Sequence, residues 1–189
     1  MKKLIFTIFF SSLAFASTLK AEGMGLHFGV GLPYASQYGF DHTLSDTWSY
    51  SIGYNSISAS FDTASVALTL PEVVFKYHPF KGSFFLGAGL GQSSLEVTAF
   101  DTASSTTVAG AVDSLAVVVD LGWMWGKGDG GLWFGMDLSY VLPMSADPSI
   151  DAGSALTSST AYQDVESQLQ TFGETAYINI TFFRLGYLF

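Results

Sequence analysis

Glu72, Lys76, Asp120, Asp137 and Arg184 are the residues of this 189-residue chain whose types could do chemistry together. Three carboxylates and two strong bases held in one narrow, water-poor space would form an ion-pair network that fills and rigidifies it. With room left between them they would line a gated pore or a proton path. Unpaired charge in such a space is costly. The excess acid therefore predicts that one carboxyl is protonated, lies near a rim, or pairs with His27. The histidines, His27, His42 and His78, are candidate bases for a serine nucleophile, which needs a Ser within hydrogen-bond reach of a base that a third group orients. His27 falls on a glycine-rich face, His42 beside a turn and His78 at a strand end, so no catalytic set is expected. Three scattered His with no Cys make neither a metal site nor a cofactor site. Gly87-Ala88-Gly89-Leu90-Gly91 lacks the strand-to-helix setting of a phosphate loop. Asn179-Ile180-Thr181 fits the glycosylation sequon but sits within a strand pattern, and is a chance match.

The elements that must position the charges are strands. Period-two alternation recurs, each time with apolar residues on one face and Gly, Ser or a charge on the other. Met24, Leu26, Phe28, Val30 and Leu32 alternate with Gly25, His27, Gly29 and Gly31, and Pro33-Tyr34 turns the chain. Tyr38 and Phe40 oppose Gln37, Gly39 and Asp41, and Leu44-Ser45-Asp46 turns it again. Trp48, Tyr50, Ile52 and Tyr54 oppose Ser49, Ser51, Gly53 and Asn55. A fourth strand is expected from Leu68 to Pro79, with Val73, Phe75 and Tyr77 on the outer face and Glu72, Val74, Lys76 and His78 on the inner. Pro71 cannot donate to a ladder, which places it near a rim. Phe84, Leu86, Ala88 and Leu90 begin the fifth, and Leu115 to Trp125 the sixth, with Asp120 inward. Leu132 to Leu142 form the seventh, with Asp137 inward. The eighth ends in Thr181–Phe183–Leu185–Tyr187–Phe189, with Arg184 and Gly186 on the other face.

Apolar outside and polar inside is the dyad pattern of a transmembrane β-barrel strand. Hydrophobic residues make up 49% and aromatic ones 16%, yet no apolar run past the first residues is long enough for a membrane helix. Only helices and closed barrels satisfy every backbone polar group in lipid. At the start of the chain, Lys2 and Lys3 precede the apolar run Leu4 to Phe10, and Ala14-Phe15-Ala16 supplies small residues. Residues 1–16 therefore read as an export signal, with 21 as an alternative end, ahead of a single barrel domain at 22–189. Removing Lys2, Lys3 and, with the later cut, Lys20 leaves 5 or 4 basic residues against 16 acidic ones, a net charge of −11 or −12. Such a charge argues against nucleic acid as a partner.

The whole pattern resembles the small bacterial outer-membrane β-barrels of the OmpA, OmpX and OmpW kind. The marks are the Tyr187-x-Phe189 ending and stretches such as Phe75-Lys76-Tyr77-His78-Pro79-Phe80 followed by Phe84-Phe85-Leu86-Gly87-Ala88-Gly89. The resemblance implies an all-β fold, an eight-stranded antiparallel transmembrane barrel in the outer membrane of a Gram-negative envelope. It implies short periplasmic turns at 44–47, 79–83 and 126–131 and long outer loops at 59–66, 98–112 and 143–174. Because the first outer connection is unusually short, a ten-stranded reading stays open. The resemblance also implies that Tyr187 and Phe189 act as the C-terminal assembly signal. Outer-membrane lipid, the barrel-assembly machinery and periplasmic chaperones are then the partners, and the protein is a monomer. The function expected is non-enzymatic, structural or surface-interacting. Passive transport of small or hydrophobic solutes is the first alternative. Lipid A modification is the second, since lipid A deacylases and palmitoyltransferases are also eight-stranded barrels.

Within the last outer loop a short helix is expected. Thr160 and Gln163 make a capping-box pair, Tyr162, Val165, Leu169 and Phe172 share one face, and Gly173 is a natural stop. Between Lys81 and Arg184 the only basic residue is Lys127, so the outer surface is expected to be acidic.

Overall fold

A computed structural model describes residues 23–101, 105–126, 130–151 and 160–189. The expected export signal lies outside the described residues, as does Lys127. Eight antiparallel strands close into one barrel in sequence order, β1 pairing with β8. They are β1 (Met24–Leu32), β2 (Ser36–Thr43), β3 (Trp48–Ser60), β4 (Ala64–Tyr77), β5 (Phe84–Asp101), β6 (Thr106–Trp125), β7 (Gly131–Asp151) and β8 (Tyr177–Leu188). The ring excludes the ten-stranded reading. One helix, α1 (Thr160–Glu174), lies between β7 and β8.

The lower half of the barrel is apolar outside. Leu26, Phe28, Phe75, Leu86, Leu90, Val119 and Phe134 are exposed on its outer face. Their sequence neighbours face in because side chains alternate across a strand. Aromatic rings gather at the lower end, where Trp48 packs on Tyr77 with ring centroids 4.9 Å apart, Phe84 on Trp123 at 5.5 Å, and Trp125 on Phe134 at 5.1 Å.

The upper half inverts this polarity. Of the segments expected as loops, 59–66, the described part of 98–112 and the first part of 143–174, up to residue 151, are mostly strand, because period two continues there with its sense reversed. Leu68, Leu95, Val97, Val108 and Val112 point inward and are buried, while their neighbours Thr69, Ser94, Glu96 and Asp113 face out. A test for apolar residues on the outside misses such a strand. β2 stops with Ser36 opposite Ser56, and β8 starts with Tyr177 opposite Val141. Above that level β3 to β7 therefore continue as an open, curved sheet. α1 packs against the inner face of β5, β6 and β7 and buries Val165 and Leu169 there. The upper edge of β7, left without β8, carries Pro143 and Pro148, residues that blunt an edge against further pairing.

Three local expectations change. Pro71 lies inside β4, opposite Tyr54, and pairing to β5 lapses between Thr69 and Glu72, where proline offers no donor. Thr181, expected on the outer face, is fully buried inside. A β-bulge at Phe182 and Phe183 exposes both rings, so one extra residue flips the parity of everything before it. Gly173 is not a left-handed stop; it sits in the last turn of α1, where a Cβ would come within 2.6 Å of Ala146 Cβ.

Candidate functional site: a polar lumen between two apolar seals

The inward residues of the lower strands build the lumen in layers. At the bottom Phe85, Met124, Trp133 and Leu188 form one buried apolar cluster. Gly186 leaves the space the Trp133 indole occupies; a Cβ at that position would overlap the ring.

Above this seal lies the polar layer, to which β1, β2, β4, β6, β7 and β8 each contribute ionisable groups. Arg184 Nη1 meets Asp137 Oδ2 at 2.9 Å. Thr181 Oγ1 donates to Asp137 Oδ1 at 2.7 Å and lies 2.8 Å from Gln37 Oε1. Lys76 Nζ sits 3.5 Å from Asp41 Oδ1 and 4.9 Å above the Phe85 ring. The other oxygen of Asp41 pairs with His27 Nδ1. Asp120 accepts from Ser139 Oγ at 2.6 Å, and Glu72 from Asn55 Nδ2 at 3.0 Å.

All five residues of the expected network, Glu72, Lys76, Asp120, Asp137 and Arg184, thus point into one lumen, but they do not form one web of ion pairs. Only Asp137 and Arg184 pair directly among them. Glu72 and Asp120 are held by neutral donors, and Lys76 is held by Asp41. A count of three acids omits Asp41, although its inward parity is plain in Gln37-Tyr38-Gly39-Phe40-Asp41. With it, four carboxyl groups face Lys76, Arg184 and His27. His27, expected as a partner for one of the three counted acids, meets Asp41 instead.

The top of the lumen is apolar again. Leu68, Leu70, Leu95, Val97, Val108 and Val112 pack with Val165 and Leu169 of α1. Tyr34, from the three-residue connection of β1 and β2, is fully buried beneath them. Its hydroxyl meets that of Tyr177, which also lies 3.0 Å from Ser93 Oγ. The Phe172 ring of α1 stacks on Tyr177 at 5.4 Å. One seal is thus made of strand residues alone, and the other is completed by the helix.

A serine–histidine contact does exist, at the lower end. Ser49 Oγ lies 3.0 Å from His78 Nε2, and His78 Nδ1 lies 3.2 Å from the Gly82 carbonyl oxygen. A carbonyl can only accept, so Nδ1–H donates to it and Nε2 accepts from the Ser49 hydroxyl. This is a nucleophile beside a base, yet both residues are 1% exposed, which leaves a substrate no approach. The pair ties β3 to β4 and to the turn after it. His42, also buried, has its Nδ1 3.4 Å from the Tyr50 hydroxyl. Among the described residues no group of three or more His, Cys, Asp or Glu side chains is placed to hold a metal ion.

The chain is similar to two solved structures from Acinetobacter baumannii. Against CarO the TM-score is 0.48 with 11% identity, covering 87% of this chain and 97% of that one. Against CarO2 it is 0.47 with 11% identity, covering 88% and 98%. No protein-family model and no curated protein sequence matches the chain.

Proposed function

We propose that this chain is an outer-membrane barrel with a non-enzymatic role, a closed scaffold that presents an acidic outer surface for interaction. The observation that carries the reading is the pair of seals around a polar lumen, inside a wall whose lower half is apolar outside. Such a wall suits lipid, and a lumen stopped at both ends suits a scaffold better than a pore. The lower end then faces the periplasm and the upper sheet with α1 faces the exterior. Outer-membrane lipid is the permanent partner and the monomer the working unit. Planar-bilayer recording tests this. The wild-type protein should show no discrete openings; openings that vanish when Glu72, Lys76 or Arg184 is changed would instead establish transport.

Passive transport is the second reading, favoured by one observation. α1 belongs to a connection rather than to the wall, so it is the removable part of the upper seal. Gly110 faces it so closely that a Cβ would come within 2.6 Å of both Leu169 and Val165. Gly110→Leu should therefore unseat α1 and expose it to protease while the barrel keeps its β-type circular dichroism. Because Trp133 and Phe85 still close the bottom, conductance should stay absent. Lipid A modification finds no support in a Ser49–His78 pair sealed at the lower end.

Tyr187 and Phe189 are proposed as the assembly signal read by the barrel-assembly machinery, after periplasmic chaperones have delivered the chain. In the closed ring Phe189 N donates to the Met24 carbonyl at 2.7 Å, and the two rings lie 5.8 Å apart. Deleting Phe189 should reduce outer-membrane insertion severely, whereas Phe172→Ala in α1 should spare it. Fractionation and surface protease accessibility compare the two; normal insertion of the deletion at low expression would count against the signal.

A further inference from the structure

α1 is flanked by a groove on the side of β7. It has a volume of about 570 Å³, and the upper end of β7 supplies its apolar floor through Ala146, Pro148 and Ile150. The helix supplies its wall. Tyr162, Glu166, Gln170 and Glu174 all line the groove, and their spacing of four places them in one row along the helix. The two carboxylates therefore stand two turns apart, about 12 Å along the axis. That is too far to chelate one metal ion, and among the described residues neither carboxylate has an ion-pair partner.

Glu174 is also badly placed for the helix itself. The last turn of α1 contains no basic residue, and an acid at a helix C-terminus adds its charge to the negative end of the dipole. Nothing in the sequence nearby offsets it, since Lys127 is the only basic residue from Gly82 to Phe183. An external cation would. Tyr162 adds an aromatic face, which attracts ammonium groups.

We propose that this groove binds a linear aliphatic polyamine. The methylene chain lies on Ala146, Pro148 and Ile150, and the two terminal ammonium groups meet Glu166 and Glu174. The proposal rests on the upper surface being the exposed, working face of the barrel. It goes further by naming the ligand class of one groove on that face.

The test uses the full protein, folded in detergent, and spermidine as the probe in isothermal titration calorimetry. Spermidine is long enough to span both carboxylates; 1,3-diaminopropane is not, and should bind more weakly. Glu166→Gln and Glu174→Gln should each weaken spermidine about three- to fivefold, as exposed ion pairs do. The double variant should lose about tenfold or more, and Asp164→Asn, on another face of α1, should change little. All variants should keep the wild-type circular dichroism, since these side chains are exposed. The proposal is overturned if wild-type protein does not bind spermidine, if the double variant binds it unchanged, or if diaminopropane or Mg²⁺ at equal concentration saturates the same carboxylates equally well. Bilayer recording on the same preparation keeps the two readings apart. Silent bilayers without spermidine binding defeat the groove alone, whereas discrete openings defeat the closed scaffold.

Discussion

Arg184→Met should lower the stability of the folded barrel by about 3–5 kcal/mol, the cost of stranding a buried charge when its partner is removed. The partner is Asp137, 2.9 Å away and 5% exposed, whose other oxygen is already occupied by the Thr181 hydroxyl. With Arg184 gone, a carboxylate is left in a lumen that already holds Asp41, Glu72 and Asp120. Removing Asp137 at the same time should recover much of the loss, because an amide at that position still accepts from Thr181 and carries no charge. The Arg184→Met, Asp137→Asn double variant is therefore expected to be more stable than Arg184→Met alone, and the cycle gives the coupling of the pair. Reversible urea unfolding in lipid vesicles measures all four proteins. If Arg184→Met by itself costs under about 1 kcal/mol, the pair is solvated and the sealed lumen is wrong.

The lower barrel was legible in the sequence because one rule governs it. Wherever lipid is the outer solvent, outward residues must be apolar, so Leu86, Ala88 and Leu90 identify β5 and Phe134, Met136 and Leu138 identify β7 without any other information. In the proposed membrane setting the outer solvent above the lipid is water, and the inner one is α1. The same rule then reads backwards: Val97 and Val108 turn inward while Glu96 and Asp113 turn outward. Strands of the upper sheet consequently read as polar loops, although Leu95-Glu96-Val97-Thr98 alternates as cleanly as any segment below. The face of α1 was legible from Val165 and Leu169, but what it would meet was not, since its seat is made by strands that read as loops.

The lumen shows the same division. Parity alone places Glu72, Lys76, Asp120, Asp137 and Arg184 inside, and it also places Asp41 there. Which of them touch depends on strand tilt and register, which alternation along one strand does not contain. Lys76 meets Asp41 on β2, two strands away, rather than Glu72 four residues back on its own strand. The β-bulge at Phe182-Phe183 had no signal beyond the doubled aromatic. That pair reads equally well as an uninterrupted outer face beginning at Thr181, the very residue the bulge turns inward.

The central claim is that polarity on the outer wall changes from lipid-facing to water-facing partway up the strands. The most direct test places one arginine at each level and measures unfolding free energy in lipid vesicles. Val119 is 51% exposed and sits between Ala88 and Tyr140 in the middle of the apolar band. Val119→Arg should cost about 2–4 kcal/mol, as a cation does at the bilayer midplane. Ser149, exposed opposite Ala111 on the upper sheet, should accept Arg within about 0.5 kcal/mol. Equal, small costs at both positions would contradict the account, because water would then bathe the wall along its whole height.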